Sequence, residues 1–95
     1  MNRVALHGYI SGRVQGVSFR AFVVAQALQH GLTGWTRNVA DGRVEVLLCG
    51  AETSVDAVVA ALHRGPPHAH VTEVALSAID PDDAPTNGTD FTIRY

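Results

Sequence analysis

From Arg3 to Ile10 apolar side chains fall on alternate positions (Val4, Leu6, Ile10), with Gly8 interrupting the series. A period of two predicts a strand. Ser11–Ser18, punctuated by Gly12 and Gly16, reads as a loop. Phe19–His30 contains neither glycine nor proline, and its apolar residues cover more than one face. That predicts a largely buried helix, with Ser18 as N-cap and Gly31 as the glycine just past its end. Leu32–Asn38 and Arg43–Cys49 flank Asp41-Gly42, a type I′ hairpin signal. Val55, Val58, Val59 and Leu62 then recur at helical spacing. Thr53 with Asp56 resembles a capping box, and Gly65-Pro66-Pro67 ends this second helix. Val71–Ile79 predicts another strand, Pro81–Thr89 a polar loop with a turn signal at Asn87-Gly88, and Phe91–Tyr95 a short closing strand.

The predicted order is β-α-β-β-α-β plus a short C-terminal strand. This is the split-βαβ, ferredoxin-like α+β pattern, with two helices on one face of a mainly antiparallel sheet. A chain of 95 residues is expected to form a single domain, 1–95. That superfold hosts many activities, so function must be argued from a site.

Composition narrows the chemistry. The chain has seven arginines and no lysine. A P-loop lysine, a Schiff-base lysine and a Ser–Lys pair are therefore excluded. The net charge of −2 supplies no global field for nucleic acid or an anionic membrane. A lone cysteine, Cys49, cannot close an internal disulfide and suits a reducing compartment. With no export signal and no apolar run of membrane-spanning length, a cytoplasmic protein is expected.

The first helix carries an anomaly. A glycine-bearing loop, Gly12–Ser18, enters a helix N-terminus, where free N–H groups and the positive end of the dipole attract anions. Arg20 stands in that first turn, where a cation is disfavoured. Its i+3 and i+4 neighbours are Val23 and Val24, so no acid neutralises it there. An anion between the N–H groups and the guanidinium would resolve the conflict, and the arginine fork matches phosphate oxygens. The plainer alternative is an exposed arginine whose stem covers apolar surface beside a tight strand–helix connection. Gly12-x-x-x-Gly16 fits neither the dinucleotide nor the P-loop fingerprint.

Gly12-Arg13-Val14-Gln15-Gly16-Val17-Ser18-Phe19-Arg20 resembles the signature of the acylphosphatase family. A second block resembling that family is Gly34-Trp35-Thr36-Arg37-Asn38-Val39-Ala40-Asp41-Gly42-Arg43-Val44-Glu45. Gly65–Val71 and Phe91–Tyr95 resemble its later segments. The resemblance implies hydrolysis of the carboxyl–phosphate bond of a small-molecule acyl phosphate. It implies that Arg20 binds phosphate, that backbone N–H groups of Gln15, Gly16, Val17, Ser18 and Phe19 form a cradle, and that Asn38 orients the attacking water. Thr36, where an aliphatic residue is common, and the missing lysines are departures that leave Arg20, Asn38 and the loop before Arg20 in place.

The chemistry suits these residue types. An acyl phosphate already has a good leaving group, so the protein must hold the phosphoryl group, offset its charge and place water in line. An amide can donate to and accept from a water but cannot act as a base at neutral pH. The water's proton is therefore expected on the substrate's own phosphate. No cofactor and no metal are expected. His63, His68 and His70 are read as solvated rather than as ligands, and His7 lacks a partner for a triad. Arg13 is either a second phosphate contact or solvated. Arg37 is expected on the strand side opposite Asn38, with Trp35 packing on it. Asp80–Asp83 reads as a solvated loop.

Two other functions stand beside the enzyme: a non-catalytic anion-binding or accessory module with the same cradle, and RNA binding on the open sheet. RNA binding needs a basic surface and aromatics on central strands. Arg43–Cys49 has no aromatic, so no nucleic-acid partner is expected, nor a membrane, and the protein is expected to be a monomer.

Overall fold

In the computed structural model, residues 2–84 and 90–95 are described. The elements are β1 (Arg3–Arg13), α1 (Phe19–Gln29), β2 (Thr33–Asn38), β3 (Val44–Ala51), α2 (Glu52–Arg64), β4 (His70–Ile79), a 3₁₀ turn (Pro81–Asp83) and β5 (Phe91–Arg94). The five strands make one sheet in the order β4-β1-β3-β2-β5. The β1–β3, β1–β4 and β2–β3 ladders are antiparallel, and β5 joins β2 in parallel. This is the ferredoxin-like α+β fold. The Asn87-Gly88 turn signal lies outside the described residues.

Alternation decides which side each residue takes. Ile10, Val44, Val46 and Leu48 point to the helix side, where they meet Phe19, Val23 and Ala27 of α1 and Val55, Val58 and Leu62 of α2. Thr36 joins that interior at 0% exposure, and its hydroxyl donates to the Glu45 carbonyl at 3.0 Å, so the polar atom is satisfied. The opposite face carries Ala5, His7 and Tyr9 of β1, Trp35 and Arg37 of β2, and Glu45 and Leu47 of β3.

Several local expectations need correction. The first strand extends to Arg13 because β4 continues to pair with it across a register shift at Ser11/Gly12. Helix α1 is not largely buried: only Phe19, Val23 and Ala27 are, while Leu28 is 55% exposed. A helix lying on one side of a sheet has one stripe to bury. The capping box does not form, because β3 passes directly into α2 with Ala51 as N-cap, leaving Thr53 inside the helix. The Glu52 N–H instead donates to the Asn2 carbonyl at 3.0 Å.

The β2–β3 connection is not type I′. Asp41 keeps a negative φ, the Gly42 N–H donates to the Val39 carbonyl at 3.0 Å, and Gly42 takes φ 99°. This is a three-residue hairpin loop whose positive-φ position falls to glycine. Asp41 instead accepts from the Arg43 N–H and side chain, and the Arg43 N–H in particular holds its carboxyl below the ordinary value.

Candidate active site

Strand β1 delivers the chain at Arg13 to the lip of the sheet, and α1 begins six residues later. Gly16 turns at φ 74° and Ser18 at φ 63°; Ser18 is the one non-glycine residue with positive φ among the described residues. A left-handed Ser18 departs from the extended N-cap geometry, and its side chain makes no capping bond. Position 18 is thus the N-cap, as its place in the sequence predicts, but without the side-chain cap. The first helical bond runs from the Phe22 N–H to the Ser18 carbonyl at 3.1 Å. The N–H groups of Phe19, Arg20 and Ala21 precede it and find no carbonyl partner among the described residues. Such a turn, at the positive end of a helix dipole, has the donors and the field that suit an anion.

A cavity of about 350 Å³ opens over this turn, lined by Val14, Gly16, Ser18, Phe19, Arg20, Ala21, Asn38 and Ile93. Arg20 and Asn38, 18 positions apart in sequence, therefore share one cavity. Asn38 arrives there because it ends β2 on the helix-facing side, opposite Val44. Gly16, Ser18 and Phe19 line the cavity, whereas Gln15 and Val17 do not. No acidic side chain among the described residues pairs with Arg20. Its guanidinium lies 5.1 Å from the centre of the Tyr95 ring, an aromatic partner that no local sequence signal indicated.

Other candidates fall elsewhere. Arg13 is exposed and outside the cavity lining. Arg37 lies on the far side of the sheet, where its Nε donates to Glu45 at 2.5 Å and its guanidinium sits 5.8 Å from the Trp35 ring. His7 meets the same carboxylate at 2.6 Å. Glu45 is 5% exposed. Its burial works to raise its pKa, but hydrogen bonds and charge from His7 and Arg37 outweigh that and bring it below the ordinary value. Cys49 is buried. Among the described residues no three His, Cys, Asp or Glu side chains come together as a metal-binding group.

The family model described as acylphosphatase matches residues 6–93. The chain belongs to the acylphosphatase family. It is 54% identical over 74 residues to an acylphosphatase from Chromohalobacter salexigens, covering 78% of this chain and 82% of that protein. The structure resembles an acylphosphatase from Coxiella burnetii with a TM-score of 0.87 at 38% identity, over 98% of this chain and 94% of the other. An acylphosphatase from Bacillus subtilis matches with the same TM-score at 34% identity, over 99% and 100%. The acylphosphatase resemblance read from the two sequence blocks is thus borne out along nearly the whole chain.

Proposed function

We propose that the cavity bounded by Arg20 and Asn38 is where this acylphosphatase-family enzyme hydrolyses the carboxyl–phosphate bond of acyl phosphates. The phosphoryl oxygens lie against the free N–H groups of the α1 turn, with Gly16, Ser18 and Phe19 shaping the cradle, and Arg20 takes two of them in its fork. Asn38 holds a water through its amide, facing phosphorus. The water oxygen bonds to phosphorus as the phosphorus–carboxylate bond breaks. The carboxylate leaves with the electron pair, and the water's proton ends on the phosphate. The observation that carries this reading is a cavity that joins an arginine without an acidic partner, N–H groups without a carbonyl partner, both among the described residues, and an amide.

The apolar part of the lining, Val14, Ala21 and Ile93, suits a small acyl group. One continuous sheet and core support reading 1–95 as a single domain, which we propose acts as a monomer. A lone buried thiol supports a reducing cytoplasm. No helix among the described residues is long and apolar enough to cross a membrane. Trp35, at 8% exposure beneath Arg37 and Arg94, offers no open ring to a nucleic-acid base.

Purified protein should hydrolyse acetyl or benzoyl phosphate with a chelator present. Arg20→Ala should lose at least about a hundredfold in kcat/KM together with inhibition by inorganic phosphate. Phosphate binding without turnover in the unsubstituted protein would favour the accessory-module alternative. Unchanged kinetics in Arg20→Ala would remove the arginine from the site.

A further inference from the structure

Gln15 belongs to the loop that leads into the cradle, yet its side chain turns away from the cavity. Its Nε2 donates to the Val39 carbonyl at 2.7 Å and to the Arg43 carbonyl at 3.0 Å. Both amide hydrogens are thereby used on the two rims of the β2–β3 turn, where the ladder opens into the loop. The same two carbonyls already hold the turn together: Val39 accepts from the Gly42 N–H at 3.0 Å and Arg43 from the Val39 N–H at 2.8 Å. Val39 follows Asn38 directly. In the sheet β3 separates β1 from β2, so no strand ladder ties the loop after β1 to the end of β2 that carries Asn38. The Gln15 amide makes that tie.

Resting on the site reading above, we infer that Gln15 is a positioning residue, fixing the water-orienting Asn38 relative to the phosphate-holding loop. The distance from a held phosphoryl group to a held water sets the in-line geometry, and a misplacement of about 1 Å can cost on the order of a hundredfold in rate. Holding phosphate requires only the loop and Arg20, so losing the tie should spare phosphate binding and slow turnover. The fold should tolerate the loss, because each carbonyl keeps its backbone hydrogen bond when the amide is removed.

The test measures kcat on benzoyl phosphate and inhibition by inorganic phosphate for Gln15→Met and Gln15→Glu, in the wild-type and Asn38→Ala backgrounds. Far-UV circular dichroism checks the fold of each variant. Methionine keeps the length without donors, while ionised glutamate turns two donors into two acceptors facing carbonyls. In the wild-type background we expect kcat to fall about ten- to a hundredfold in Gln15→Met and further in Gln15→Glu. The phosphate inhibition constant should stay within about twofold. With Asn38 already removed, Gln15→Met should lower kcat by no more than about twofold, because nothing remains to be positioned. An unchanged kcat in Gln15→Met, an equal loss in both backgrounds, or a parallel weakening of phosphate inhibition would each overturn the positioning role. Full turnover in Asn38→Ala would overturn the site reading and this inference with it. A slow Asn38→Ala beside an unaffected Gln15→Met overturns this inference alone.

Discussion

Arg20 and Glu45 are charged groups whose surroundings explain them in opposite ways. Arg20 sits against a helix dipole with no acid paired to it among the described residues, an arrangement that the proposed anionic substrate would complete. Glu45 is buried on the other face of the sheet and completed from within, by His7, Arg37 and a longer contact from the Tyr9 hydroxyl at 3.4 Å. Because the Glu45 pKa is lowered on folding from an ordinary value of 4.5, the unfolded chain binds its proton first as pH falls. The carboxylate's contribution is therefore fully present above about pH 4.5 and is lost as pH falls through the lower, folded value. Urea midpoints measured from pH 6 to pH 3 should decline more steeply for the wild type than for Glu45→Gln. Equal declines would show that Glu45 does not carry this dependence. The Arg20 anomaly was legible in the sequence because a helix start and the absent acid are both local facts. The partners of Glu45 and the reach of Gln15 were not, since those contacts cross between strands and loops 8 to 38 positions apart.

Among the elements, α1 ends as its sequence suggests. The Leu32 N–H donates to the Ala27 carbonyl at 2.8 Å and the Gly31 N–H to the Leu28 carbonyl at 3.2 Å, the paired bonds of a Schellman motif, with Leu32 and Ala27 both in the core. Gly31 has φ 71°, and a Cβ there would touch nothing within 4 Å. Gly31→Ala should therefore cost about 1 kcal/mol from backbone conformation alone, read as a shifted urea midpoint with an unchanged slope. A neutral substitution would mean that the chain end relaxes out of the left-handed region. Elements with strong periodicity or turn chemistry were recognised from sequence: the hairpin, both helices and the core strands. What escaped was set by neighbours. Pairing with β4 prolongs β1, the direct passage of β3 into α2 moves the helix start to Glu52, and the one-sided layering exposes much of α1.

At the scale of the whole molecule, the fold brings two distant points of the chain to one end: the first turn of α1 with Arg20 and the end of β2 with Asn38. The two helices cover one face, and on the other face His7 and Tyr9 of β1 and Arg37 of β2 meet at Glu45 of β3. A chain of this size can be an enzyme because an acyl phosphate needs positioning and charge stabilisation more than proton transfer by the protein. The most direct test is steady-state hydrolysis of benzoyl phosphate by Asn38→Ala, with inhibition by inorganic phosphate measured on the same preparation. A water-orienting role for Asn38 predicts kcat lower by about a hundredfold or more and a phosphate inhibition constant within about twofold of the wild type. Full turnover in a correctly folded Asn38→Ala protein would contradict it.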